Sequence, residues 1–481
     1  IDHKQAKKIA VPDLSKASGA ELVKALEHLN RAVRMTAQRL LIEQRQPAAI
    51  ALLKDGFAKA GEWAQIHRLW VLQQLSDLPP TTLTAALGSE HAAVRKNALQ
   101  VAAVSGGESA KSAITARLND SDPRTRLEAV NALAALPVDK ASSDALVAVY
   151  PSFNDPWLES AAVGALSKNP TEGIASALNG RAPESYRTLV TLLVATIAQK
   201  NDADAAAALV TVASQAPATA DALKIAVFES LARALKPEII PALSADLRTA
   251  LGAALKSPNF ALASAALPLV ARWDKAGSLG PDAKTVLQSL MAKLSEGASE
   301  AERSQAATVL LSAHQLDPKI VPTVMKLLGS SAPISVQTEI VQGLGAIPDV
   351  AVGTALVAVF PRLAPAVHDA AFTQIARRAE WSSALLDAVK EGRTTLAQLG
   401  PPAVHRLRTH PDADVAAKAS AIIDELRGPE AKEKNGLIAK LTPEVEKPGT
   451  VVKGKELFTQ NCAVCHSFNG EGKSVGPDLT G

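Results

Sequence analysis

The chain has 481 residues and a mass of 50.0 kDa, with 47% hydrophobic but only 3% aromatic residues. Its 51 basic and 48 acidic residues leave a formal net charge of +3, which gives no electrostatic case for nucleic acid as a partner. No apolar run reaches the roughly 18 residues that span a bilayer, and abundant alanine with so few aromatics predicts closely packed helices.

From residue 20 to about residue 427 the sequence repeats itself. The recurring phrase is an aliphatic residue or threonine, then arginine, two variable residues and alanine. It occurs as Val33-Arg34-Met35-Thr36-Ala37, as Val94-Arg95-Lys96-Asn97-Ala98 and as Thr125-Arg126-Leu127-Glu128-Ala129. Arg95 and Arg126 are 31 residues apart. Looser copies are read at Ile66-His67, Leu158-Glu159, Lys224, Arg303, Val336-Gln337, Val367-His368 and Val415-Ala416, giving roughly twelve units spaced by about 28 to 48 residues.

Each unit reads as two helices. In one copy Ala113 to Leu118 closes a first helix, and Asn119-Asp120-Ser121-Asp122-Pro123 turns the chain. Asp122 suits the cap of the second helix and Pro123 its first position. Leu127, Val130, Leu133 and Leu136 then recur at helical spacing. The same turn chemistry returns at Asn154-Asp155-Pro156, Ser257-Pro258-Asn259 and His410-Pro411-Asp412. No strand is expected, and no glycine-rich phosphate loop follows one.

Within this array no catalytic constellation stands out. His28, His67, His91, His314, His368, His405 and His410 are scattered and read as surface or helix-end residues. Trp63, Trp70, Trp157, Trp273 and Trp381 read as core or inter-repeat packing, with Trp63 and Trp70 on one helix face. Arg377-Arg378 reads as solvated.

At Gly428 the pattern changes. Residues 428–450 read as a charged, semi-rigid linker in which Leu437-Ile438-Ala439-Lys440-Leu441 docks as a capping turn. Next, Gly454 to Asn461 reads as a short helix leading into Cys462-Ala463-Val464-Cys465-His466. That motif holds the chain's two cysteines and has the C-x-x-C-H pattern of covalent haem attachment. A three-residue step on a helical turn puts both sulfurs on one side, and the following histidine reaches the iron as an axial ligand. A redox disulfide or part of a zinc site are the other readings. The first wants a βαβ context, and the second wants four ligands where Cys462, Cys465 and His466 supply three.

The repeat units resemble HEAT repeats, antiparallel helix pairs that bury their apolar stripes against one another. That resemblance implies that the phrase arginines, Arg34, Arg95 and Arg126, ladder with acidic turn residues of adjacent repeats. The segment GKELFTQNCAVCHSFNGEGKSVGPDLTG resembles the N-terminal part of a small class I c-type cytochrome. By that resemblance, Pro477 in Gly476-Pro477-Asp478-Leu479 offers its carbonyl to the second nitrogen of His466, while Leu457 and Phe458 lie against the haem edge. The family's second axial ligand and closing helix would fall beyond Gly481, so the 481 residues are expected to be a fragment with more chain on both sides.

The expected class is therefore all-α: a HEAT-like solenoid over residues 1–427, the linker, and at 451–481 the start of a cytochrome c domain with one covalent haem. This order resembles bacterial multidomain haem-binding proteins, in which a β-propeller similar to sugar or sorbosone dehydrogenases commonly precedes the array. The opening phrase Leu22 to Asn30 followed by Val33-Arg34 resembles their repeat region. What the resemblance implies is electron transfer from a fused dehydrogenase domain to a redox partner, in the periplasm or elsewhere outside the bacterial cytoplasm. An interaction scaffold with an auxiliary haem, its solenoid surface taking protein partners, is the alternative. A haem-based sensor is the third reading, suited to an iron without a distal ligand.

Overall fold

The computed structural model describes residues 10–105, 108–295, 297–473 and 475–480. It divides into two compact units, 1–322 and 323–481. Each is built from short antiparallel helix pairs.

Local chemistry starts these helices where the sequence places them. Asp122 accepts a hydrogen bond from Thr125 N at 2.9 Å, with Pro123 at the first helical position of Pro123–Ala135. Asp155, Asn259 and Asp412 cap their helices in the same way, and Ser18, Ser299 and Thr395 each form a reciprocal capping box. The buried face of Pro123–Ala135 is Thr125, Ala129, Val130, Ala132 and Leu133. Leu127, expected on that face, is half exposed.

In the first unit the second helices of successive pairs stack in order: Arg31–Gln44, Glu62–Gln74, Ala92–Ser105, Pro123–Ala135 and Pro156–Leu166. Their partners do likewise, as in Lys140–Val149, Pro170–Leu178, Ala203–Gln215 and Ala245–Leu255. The second unit repeats the pattern. Ile334–Gly345 packs on Pro365–Ile375, and Val350–Val359 on Ala379–Lys390. Each unit is thus a helical-repeat stack, in which each pair hides its apolar stripe only against its neighbours.

The repeated phrase has a clear physical role. Arg34 donates to the carbonyls of His28 and Leu29, Arg95 to those of Ser89 and Glu90, and Arg126 to those of Asp120 and Ser121. The side chain ties the second helix to the turn that precedes it, satisfying carbonyls of that turn that lie outside either helix's hydrogen-bond ladder. Gln337 does the same for Ser330 and Ala332. So does Gln65, for Ala58 and Ala60. Gln65 lies 31 residues after Arg34 and 30 before Arg95, so the second copy is centred there and not at Ile66-His67. A glutamine side chain donates to two carbonyls as an arginine can, which hid the copy from a search for arginine.

The implied ladder appears at Arg95. Its guanidinium makes two 2.7 Å bonds to Asp120 in the next turn, and both side chains are buried. Burial opposes ionisation of Asp120. The Arg95 hydrogen bond, the Asp122 backbone N–H and the charges of Arg95 and Arg117 outweigh it and hold the carboxyl below the usual range. Asp120→Ala leaves a buried guanidinium without its counter-charge, and a loss of about 3–5 kcal/mol is expected. Because the folded carboxyl titrates low, its contribution is present above the unfolded value, about 3.9, and is lost as pH falls through the folded one. Urea midpoints at pH 7 and in acid should fall for the parent, with this part of the fall absent from D120A.

Three further expectations change. Trp381 and Trp273 are buried, but Trp63 and Trp157 are exposed by 51% and 76%. Arg378 is not merely solvated: it donates to the Gly345 carbonyl at 2.9 Å and stacks on Trp381. The stretch after Gly428, read as a semi-rigid linker with a docked capping turn, is largely helical. Gly428 breaks the helix (φ 65°, ψ −160°), Pro429 restarts it, and it runs to Val445 with Leu437, Ile438 and Leu441 exposed, not docked.

Candidate haem site

Helix Val451–Asn461 delivers the motif. Its last turn passes directly into a tight turn: Cys462 N and Ala463 N donate to the Phe458 carbonyl, and Cys465 N and His466 N to the Cys462 carbonyl. The three-residue step therefore spans one helical turn, as the sulfur spacing requires. Both thiols are free, Cys465 exposed and Cys462 half-buried. Among the described residues no group of three or more His, Cys, Asp or Glu side chains is placed to hold a metal ion.

The chain then does something that the sequence reading missed. Ser467–Phe468 (β1) and Glu471–Gly472 (β2) form an antiparallel hairpin closed by Asn469-Gly470. Both turn residues have positive φ, 48° and 80°. Asn-Gly is the residue pair that a two-residue hairpin turn prefers, so the signal was present. The hairpin reverses the chain so that residues 475–480 return over the motif. Gly476 N donates to the Cys465 carbonyl, Leu479 N to Ser467 and Lys473 N to Ala463. Ser467 Oγ donates to Asp478, and Thr480 Oγ1 accepts from Asn469 N. Hydrogen bonds from the Thr480 and Ser467 side chains and the Thr480 backbone hold the Asp478 carboxyl below its ordinary value.

This return sets His466. Its Nδ1 lies 2.8 Å from the Pro477 carbonyl oxygen, so Nδ1–H is the donor and Nε2 keeps its lone pair. Among the described residues Nε2 has no hydrogen-bond partner. Gly476 lies flat against the ring, where a Cβ would come within 2.6 Å of Cε1. Glycine is required there by the close approach alone. An imidazole held at one nitrogen and open at the other, beside two free thiols on one turn, is a donor set that fits haem c.

Leu457, Val464 and Leu479 are exposed, and helix Val451–Asn461 contributes no buried residue. Phe458 has partners of its own within the segment. It packs on Phe468 with ring centroids 5.9 Å apart and lines a separate cleft with Val451 and Gly454, which includes neither thiol nor the imidazole. Leu457 and Phe458 are adjacent in the helix, so they point to different faces.

His405 and His410 do not form a site: His405 is exposed, while His410 is tied to the Ala376 carbonyl and Asp412 N. His67 is buried, contrary to the surface reading. Burial, with the charges of Arg34 and Arg31, lowers its pKa to about 4.

Two family models match parts of the chain. The family model for HEAT repeats matches residues 80–167, and the model for cytochrome c matches residues 451–481. The class defined by fold and site is thus a helical-repeat array similar to HEAT repeats, with a segment similar to cytochrome c. No curated protein matches the chain. Similar solved structures include Kap121p (14% identity, TM-score 0.44, covering 91% of this chain and 52% of that one) and Kap121p bound to Pho4p (14%, 0.45, 89% and 52%). Kap121p bound to RanGTP is another (15%, 0.43, 91% and 54%). The chain spans about half the length of these structures.

Proposed function

We propose that the chain is an electron-transfer module in which haem c is held covalently by Cys462 and Cys465, with His466 as one axial ligand. The observation that carries this reading is the imidazole fixed by Pro477 at Nδ1 beside the two free thiols. When bound, the haem supplies a one-electron iron couple whose potential follows its ligands and burial. The Pro477 carbonyl fixes the tautomer and the ring plane, and raises the basicity of Nε2. Gly476 leaves room for the ring to stand in that plane. The hairpin ties both ends of the motif so that the thiols and the imidazole keep their mutual placement.

In the same proposal residues 1–427 are the scaffold, 428–450 the connector and 451–481 the haem-bearing part. The same proposal puts the protein in the periplasm or elsewhere outside the bacterial cytoplasm, where c-type haem is attached. Its electrons come from a dehydrogenase, fused or separate, and pass to a redox partner protein.

The test is a haemochrome spectrum and a reductive titration of full chain exported through a compartment that assembles c-type haem. A covalent c-type band that reduces and reoxidises reversibly with a low-spin spectrum is expected. Unmodified thiols in well-folded protein would overturn the reading, and a high-spin spectrum that shifts with carbon monoxide would replace it with sensing.

A further inference from the structure

Arg34 and Arg95 occupy the same position in the repeat, yet among the described residues only Arg95 has a counter-charge. Arg34 is 6% exposed. Its Nη1 holds the two turn carbonyls and its Nε donates to His67 Nε2 at 3.3 Å, with the guanidinium 4.9 Å above the Trp63 ring. Nη2 has no hydrogen-bond partner among the described residues. His67 brings no negative charge to this pairing: it accepts at Nε2, and its Nδ1 lies 2.5 Å from Gln38 Oε1.

Beside this pair lies a cavity of about 560 Å³ between helices Arg31–Gln44, Glu62–Gln74 and Ala92–Ser105. Its polar end is Arg31, Arg34 and Gln38, and among the described lining residues there is no carboxylate. Arg31 forms no hydrogen bond or ion pair among the described residues. The apolar walls are Trp63, Trp70, Met35 and Ile66. Trp70 is fixed by its indole N–H, 2.9 Å from Asn97 Oδ1, and Asn97 is held in turn by the Ala93 carbonyl. The volume is that of a small-molecule site. Two arginines without a counter-charge, against a rigid indole and a half-exposed one, form a built recess with one sign of charge.

We propose that this recess binds a small organic carboxylate with a flat apolar body. The carboxylate pairs with Arg31 and the free Nη2 edge of Arg34, and the flat body packs between Trp63 and Trp70. Charge-assisted bonds to guanidinium are shorter and stronger than neutral ones, which gives the anion its advantage. The ring faces supply apolar area at little entropic cost.

Calorimetric titration of the full chain with indole-3-carboxylate and with its neutral primary amide tests this. The carboxylate should bind about tenfold more tightly than the amide. Arg31→Gln, at an exposed position, should melt like the parent and narrow the carboxylate's advantage over the amide severalfold. Trp63→Ala should weaken both probes. Equal affinity for acid and amide, no binding of the acid, or an R31Q variant that binds as the parent would overturn the proposal. So would tighter binding of a glutamate-rich peptide than of the small acid, which would make the recess a peptide contact.

Discussion

Exported full chain carrying Cys462→Ser and Cys465→Ser should lose all haem on acidified-solvent extraction, whereas the parent should keep it. A thioether survives denaturation and an axial bond does not, so mass analysis after unfolding separates the two. Each single variant should retain haem through one bond, with the reduced band displaced because one vinyl group is no longer saturated. A second consequence follows from exposure. Helix Val451–Asn461 buries none of its residues, and Leu457, Val464 and Leu479 face solvent. A segment of about thirty residues has little core of its own. Amide exchange in 451–480 should therefore be fast in the double variant and slowed in the haem-loaded parent, while protection in the repeats stays the same. Equal haem retention by parent and double variant would remove covalent attachment from the account.

Trp381→Ala should cost about 3–5 kcal/mol, the largest loss expected from a single truncation in the second unit. Trp381 is buried, and its indole N–H donates to the Asp349 carbonyl at 3.2 Å. Its ring fills the space over Gly353, where a Cβ would come within 2.3 Å of the indole. Helices Val350–Val359 and Ala379–Lys390 thus meet as a large residue against a missing side chain. Truncating the tryptophan leaves a cavity that two regular helices cannot collapse to fill. Gly353→Ala should also destabilise, through overpacking. The double variant G353A/W381A should lose less than the sum, because the new methyl enters vacated space. Thermal melts will register the losses, and amide exchange should place them first at 350–359 and 379–390, since stacked repeats unfold by neighbourhoods.

Much of this protein could be read along the chain. The Asp-Pro and Asn caps, the arginine phrase and the two-residue gap between Cys462 and Cys465 are local features. A cap acts on its own helix, and a thioether motif lies within one turn. The Asn469-Gly470 hairpin was equally local and was overlooked beside a helical pattern. Gln65 was hidden for a different reason: what the repeat retains is a donor to two turn carbonyls, and arginine is only one residue able to supply it.

Tertiary structure decided what periodicity leaves open. Helical spacing identifies a face but not the neighbour that covers it. For this reason Trp381 and Trp63, alike in sequence terms, end at 1% and 51% exposure. It also decided which phrase arginine is neutralised. Arg95 meets Asp120 from the next turn, while Arg34 meets an imidazole that stays uncharged. Those partners lie 25 and 33 residues away, and only the stacking of one pair on the next brings them together.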